Sequence, residues 1–395
     1  MRDSFLFFFI LLSGFFYLED GHAENAFFLN QYGADRYYSI SEYNEDGYPR
    51  SHVVLSPKSI GARHLAWPSA VRVGGKTYLY SSIYSGGWHK VGLWTSQNGS
   101  AFTYEGVVFS SKDIPGAEEK GIGSTHIGYF PEEEFPFLMI ANIRGPSGPG
   151  QKLGVSRSKD GVNWTYQGIA FTVDQEFEAS GVAPSYLCKS EDTYYLFYLA
   201  FGEPSYSEAV AAVAVSQGSV LGPYKNHQVM YKNGGYHGLV TSGERSSFEL
   251  EVEDVNGLRP GLPVVISDDK GDHVQVLVAT KTDKSRVFLD RPLVFDSSGF
   301  RIASIFRNKV DPSFVFKKGD KWNGYFTVFG AFPRVTSEVV VRMTASTPFG
   351  PWSIDPAFDR QIPYFRISKP GLSLYSVENP ILISQNSNCL KNRLK

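Results

Sequence analysis

The chain has 395 residues, a formal net charge of −2, 15% aromatic residues, 39 glycines and 22 prolines. The near-zero charge excludes the basic surface that a nucleic-acid-binding protein needs. The aromatic, Gly and Pro content predicts many short strands joined by tight turns rather than long helices, and all-β chains of this length commonly form one large domain.

The N-terminus reads as an export signal over residues 1–23. Arg2 precedes an apolar run from Phe5 to Tyr17, and Gly21-His22-Ala23 supplies small residues before a cut ahead of Glu24. The run is short for a membrane-spanning helix, which needs about 20 apolar residues; an uncleaved anchor is the alternative. No Cys lies near the cut, so a lipid anchor is not expected. The mature protein is expected to be secreted or periplasmic, free of the membrane, and monomeric.

From residue 24 the chain repeats a four-strand unit about every 50 residues. The first reads Trp67-Pro-Ser-Ala-Val, Lys76-Thr-Tyr-Leu-Tyr, Val91-Gly-Leu-Trp-Thr-Ser and Phe102-Thr-Tyr. The second runs from His126 through Phe137-Leu-Met-Ile-Ala to Ser158-Lys-Asp-Gly-Val-Asn-Trp164, an Asp-box turn. The third holds Val182-Ala-Pro-Ser-Tyr-Leu, Tyr194-Tyr-Leu-Phe-Tyr, Val213-Ala-Val-Ser and Leu221-Gly-Pro-Tyr. The fourth holds Asp311-Pro-Ser-Phe-Val and Phe349-Gly-Pro-Trp, and a fifth starts at Val377-Glu-Asn-Pro and stops short. Such units cannot bury both faces alone and close into a ring. The expectation is therefore an all-β, five-bladed β-propeller whose N-terminal strands complete the last blade. An irregular β-sandwich is the alternative. Residues 24–237 and 304–395 form the propeller. Residues 238–303, with strand-like alternation, form a small β-module inserted between blades three and four, and it is expected to overhang the ligand face.

Residues just before the inner strands should crowd one axial cavity. Asp311 and Glu378 occupy matching places there, and glycoside hydrolysis uses two carboxyl groups flanking the scissile bond. Turn and strand-start stabilisation is the competing role for both. Glu178 is a third candidate acid. His64 and His126 stand before inner strands one and two, and His237 precedes the module. Trp67 and Trp88 could stack on sugar rings, with His89 beside them. Arg63, Arg144, Arg307 and Arg334 fall near the same mouth, where guanidinium forks would suit an acidic saccharide; ordinary ion pairs are the other reading. No spacing among the eight His and two Cys residues resembles a zinc site, and the residues call for no cofactor. Cys188 and Cys389 either pair in an oxidising compartment or remain a buried thiol and a tail thiol.

These motifs, from Val182-Ala-Pro-Ser-Tyr-Leu to Phe349-Gly-Pro-Trp, resemble the five-bladed glycoside hydrolases of family 43 and relatives in families 32 and 117. The resemblance covers most of the mature chain outside the module. It implies carbohydrate as substrate or ligand and a Ca²⁺ or water on the axis. It also implies an Asp in blades one and two and a Glu in blade three, where this chain has Trp67, His126 and Val182. The expected activity is glycosidic bond hydrolysis with Asp311 as base or nucleophile and Glu378 as proton donor. A non-hydrolytic glycan-binding propeller is the alternative, and a glycan lyase a more distant one.

Overall fold

The computed structural model describes residues 27–31, 36–43, 49–99, 101–117, 121–145, 148–202, 209–231, 237–256, 258, 260, 262–269, 273–304, 309–329, 338–354, 377–382, 387 and 389. The expected export signal lies outside them. Among the described residues no helix is long and apolar enough to cross a membrane.

The strands follow the sequence units. They are β1 (Phe27–Gln31), β2 (Arg36–Tyr43) and β3 (Pro49–Leu55), then β4 (His64–Val73), β5 (Lys76–Tyr84), β6 (Trp88–Ser96) and β7 (Thr103–Ser110). Next come β8 (Ile122–Tyr129), β9 (Phe137–Gly145), β10 (Gly148–Ser158) and β11 (Thr165–Thr172), followed by β12 (Gly181–Ser190), β13 (Thr193–Phe201), β14 (Ala209–Gln217) and β15 (Lys225–Tyr231). The inserted stretch gives β16 (His237–Ser242), β17 (Glu249–Val252), β18 (Leu262–Ser267), β19 (Val274–Asp283), β20 (Arg286–Leu289) and β21 (Arg301–Ser304). The chain continues with β22 (Lys309–Lys318), β23 (Lys321–Phe329), β24 (Glu338–Ala345) and β25 (Ser353–Ile354), and β26 (Val377–Leu382) is the last strand described.

The architecture is all-β and propeller-like. Strands β4 to β7 and β8 to β11 each form a four-stranded sheet in chain order, and β26 joins β1, β2 and β3 in a third. The N-terminal strands thus share a sheet with the last strand, and the two ends of the chain are tied together. Strands β16 to β21 close into a separate six-stranded barrel around Val240, Leu250, Val264, Leu277, Val287 and Ile302. Hydrogen bonding does not delimit the five separate blades expected from the repeats. The third and fourth units share one eight-stranded sheet, because a parallel pair, Ala209 with Lys309, joins β14 to β22.

The first strand of each unit packs beside that of the next in a closed circuit: β4 beside β8, then β12, β22, β26 and back to β4. Each of these inner strands breaks register with its neighbour at one level. Trp67 and Pro68 oppose one residue of β5, and Gly123 and Ser124 one residue of β9. Ser185 is the extra residue of β12, while Pro312 and Ser313 bulge from β22 and Asn379 and Pro380 from β26. Four of the five strands carry a Pro at or beside this break. Pro has no N–H for the ladder, so a bulge is where an inner strand tolerates it.

At the opposite end, two described residues of the tail pair with three of the inner strands. The Ser387 N–H donates to the Tyr129 carbonyl at 2.7 Å, Lys189 N–H to Ser387 at 2.9 Å, and Cys389 N–H to Lys189 at 2.7 Å. Lys317 N–H donates to the Cys389 carbonyl, so the tail stitches β8, β12 and β22 together. Cys389 is also disulfide-bonded to Cys188 of β12, and both are fully buried. Of the two alternatives left open by the sequence, the pair is formed.

The Asp-box turn is built as its residues dictate. The Asp160 carboxylate accepts from the N–H groups of Val162 and Asn163 at 2.8 Å. Partial burial pushes its pKa up, but these bonds, with those from the Asn163 and Ser158 side chains, outweigh burial and hold it well below the carboxylate range. Gly161 has φ +75°, and its carbonyl accepts the buried Tyr80 hydroxyl at 2.8 Å. Trp164 meets Tyr80 edge-on at 6.0 Å. The turn therefore fastens the second sheet to the first.

Candidate active site at the bulge level

The described tail residues meet the late ends of β8, β12 and β22, and the five bulges lie at the other end, where the inner strands begin. The level of the five bulges concentrates polar side chains there. Ser69 Oγ accepts the Ile127 N–H at 2.9 Å and lies 3.5 Å from His126 Nδ1, linking β4 to β8. Asn142 Nδ2 donates to the Val182 carbonyl at 2.5 Å, linking β9 to β12. Ser313 and Thr327 share a hydroxyl contact at 2.9 Å.

His126 and Asp311 both face Ser185, so three inner strands contribute to one polar cluster. Burial drives His126 down to about 3, partly offset by the Ser185 carbonyl, so the imidazole is neutral. Its ring meets Tyr186 edge-on at 5.1 Å, and Nε2 has no hydrogen-bond partner among the described residues. Burial raises Asp311 to about 6, against the Ser185 hydroxyl, which pulls it down. Asp311 is 9% exposed, and its Oδ1 also has no partner among the described residues. Buried polar atoms normally find partners, and these two find none among the described residues. Calcium takes six to eight oxygen ligands. The described side chains here offer one carboxylate, four hydroxyls, an amide and an imidazole, a set that suits a bound water with two to four partners rather than a calcium cage.

An aromatic shelf flanks this cluster on the first full sheet. The Trp67 and Trp88 rings lie 4.6 Å apart, Tyr84 meets Trp88 at 5.1 Å, and His64 meets Tyr84 at 5.5 Å. Trp67 holds φ +50° at the β4 bulge. That region is costly for a bulky side chain, and such strain concentrates at functional sites.

The other candidates divide clearly. His89 binds Ser111 Oγ through Nδ1 at 3.2 Å, which anchors the crossover after β7. Arg144 is half-buried on β9, and its Cγ lies close to Gly123 of the β8 bulge; Arg63 is exposed. Glu378 takes the same register position as Asp311, immediately before the bulge, on the neighbouring inner strand. The side chains of Glu378 and His237, and all of Arg307 and Arg334, lie outside the described residues. Glu178 is not with Asp311. It is fully buried in a crossover between β11 and β12, bonded to Tyr198 and His227. Sequence reasoning passed over Ser185, Tyr84 and His227. The signal for Ser185 was present, since Pro-Ser recurs in units one, three and four as Pro68-Ser69, Pro184-Ser185 and Pro312-Ser313.

No protein-family model matches the chain, and no curated protein does. Solved structures do. A thermostable family-43 glycoside hydrolase shares 12% identity over 74% of this chain and 72% of its own, at a TM-score of 0.44. An α-L-arabinofuranosidase from Podospora anserina in complex with cellotriose shares 9% over 86% and 83%, at 0.48. A family-43 enzyme from Xanthomonas citri complexed with xylose shares 11% over 74% and 72%, at 0.40. Family-43, family-62 and related β-propeller glycosidases are thus among the solved structures similar to this chain, the group that its sequence motifs resemble.

Proposed function

We propose that this protein is an exported five-bladed propeller that hydrolyses a glycosidic bond of a poly- or oligosaccharide at the bulge-level mouth. The eight-stranded sheet reads as two blades sewn together by the Ala209–Lys309 pair, which brings the count to five. The observation that carries the chemistry is Asp311, a buried carboxyl with one oxygen that has no partner among the described residues and a pKa of about 6. It stands one inner strand away from Glu378 at the same register.

At neutral pH Asp311 is mostly ionised, yet more basic than an ordinary carboxylate. As base it takes a proton from water while the water oxygen bonds to the anomeric carbon. Glu378, as acid, gives its proton to the departing glycosidic oxygen as the C–O bond breaks. Neutral His126 contributes no charge beside the developing oxocarbenium ion, and the Trp67–Trp88 shelf offers apolar faces to the C–H side of a sugar. The disulfide between Cys188 and Cys389 supports maturation in an oxidising compartment, as the N-terminal signal reading requires.

The test is product release from a panel of neutral and acidic polysaccharides by the parent, Asp311→Asn and Glu378→Gln. Loss of product in both variants, with binding retained, supports the assignment; parent-like rates refute it. The low exposure of Asp311 favours one second reading, a glycan-binding propeller that does not cut. Saturable binding by the parent with no product after long incubation would select it.

A further inference from the structure

Glu178, which the axial chemistry leaves unused, belongs to a different constellation between the second and third sheets. It ends the short 3₁₀ turn Glu176–Glu178 in the β11–β12 crossover. The Tyr198 hydroxyl donates to one of its oxygens, and the N–H groups of Asp174 and Gln175 donate to the other at 3.1 and 3.3 Å. His227 reaches it from the outer strand β15, with only 2% of its side chain exposed. The imidazole is stacked flat on Phe171 at 4.4 Å, so its plane is fixed.

The two ring nitrogens have separate surroundings. Nε2 faces the Tyr224 carbonyl at 3.1 Å and must carry a hydrogen. Nδ1 faces Glu178 Oε1 at 2.9 Å and Asp174 Oδ1 at 3.1 Å. In the neutral tautomer that Tyr224 selects, a lone pair and two carboxylates point at one spot, with ligand atoms all within 4.8 Å of one another. Among the described residues, no Lys or Arg forms an ion pair with either carboxylate. Something cationic must sit among them, and a proton on Nδ1 is the minimal answer. The surroundings are built for more than a proton. The His presents one nitrogen while a backbone carbonyl holds the other, and the buried carboxylate is oriented by three donors of its own. Both are outer-shell arrangements of metal ligands. The Asp174 side chain is 61% exposed and leaves a solvent path to the spot.

We propose that Asp174, Glu178 and His227 form a divalent-cation site that fastens the β11–β12 crossover to β15. One imidazole and two carboxylates, without sulfur, suit Zn²⁺ among the common ions. Tetrahedral ligands at about 2.0–2.1 Å from zinc lie about 3.3 Å apart, so the two separations from Nδ1 need to widen only by a few tenths of an ångström.

The experiment titrates zinc chloride into the full mature chain, freed of any histidine tag and stripped with chelator. Calorimetry and thermal melts supply the readouts. The parent should bind one zinc per chain with a rise in Tm, and Asp174→Asn, an exposed change that leaves the buried bonds of Glu178 in place, should weaken binding at least tenfold. His227→Gln should abolish it; should that variant fail to fold, Asp174→Asn decides alone. Absence of zinc binding by the parent, with both His227 nitrogens protonated by ¹⁵N NMR, would overturn the site in favour of a buried imidazolium. Parent-like binding by Asp174→Asn would overturn it too.

Discussion

Replacing Asp311 by Asn should make the folded protein more stable at neutral pH, and the gain should depend on pH in a defined way. The folded-state value of about 6 lies above the reference of 3.8. Between those values the folded state keeps a proton that the unfolded chain has released, so this group's contribution falls as pH rises through the window. The full gap corresponds to about 3 kcal/mol at pH 7. His126 acts in the opposite direction, with a folded value of about 3 against 6.5. Its folded form has released a proton that the unfolded chain still holds, so its contribution rises with pH across that range and is lost on acidification. In the parent the two slopes oppose each other between roughly pH 4 and 6. In Asp311→Asn only the His126 slope remains. The Asn amide adds a pH-independent cost of about 1 kcal/mol if one of its donors goes unpaired, so the informative quantity is the change in the Tm difference, not its absolute value. Melts of both proteins from pH 3.5 to 7.5 should give a difference that is flat below about pH 4 and grows by about 3 kcal/mol by pH 7. A difference that does not vary across this range would refute the placement of a buried, proton-holding carboxyl at Asp311.

The same group sets the pH profile of hydrolysis: with Asp311 as base, kcat/KM should rise with pH through about 6, and a fall through that value would make it the proton donor instead. At the shelf, Trp67→Ala and Trp88→Ala should each weaken glycan binding about tenfold, measured by affinity electrophoresis. Trp67→Gly should be more stable than Trp67→Ala by about 1 kcal/mol, because Gly adopts φ +50° without strain; equal stabilities would remove the strain argument. Gly161→Ala should destabilise by about 1–3 kcal/mol, since a Cβ there would lie 2.5 Å from the Tyr80 hydroxyl at a backbone φ of +75°.

The repeat was legible because strand periodicity and Pro-Ser punctuation are local. Trp67-Pro, Asp311-Pro and Asn379-Pro each announce an inner strand, and the ring of inner strands follows from them. The barrel between β15 and β22 was legible as alternation, but its closure was not, because pairing β16 with β21 joins residues far apart in sequence. The parallel pair that merges the third and fourth units is equally non-local. Position in the repeat placed Asp311, His126 and Trp67 at the bulge level of the inner strands, but it did not place Glu178 there. That residue also precedes an inner strand, yet it sits in a 3₁₀ turn whose caps draw its carboxylate back onto the crossover. The Trp67-to-Tyr84 shelf needed the β4–β6 register before its rings could be brought together.

The tail attaches to one end of the ring of inner strands. A ring of inner strands leaves two mouths, and either could admit a ligand. Here Ser387 and Cys389 hydrogen-bond to the late residues of β8, β12 and β22, at Tyr129, Lys189 and Lys317, and a disulfide holds the tail on β12. The cross-link spans 201 residues. In the chain-entropy account a loop of that length is worth up to about 5 kcal/mol. Cys389→Ser should therefore lower stability by several kcal/mol and make the tail-side mouth accessible to proteases. If the proposed hydrolysis lies at the bulge level, the variant should retain its kcat at a temperature where it is folded. Loss of kcat without loss of fold would move the chemistry to the tail end.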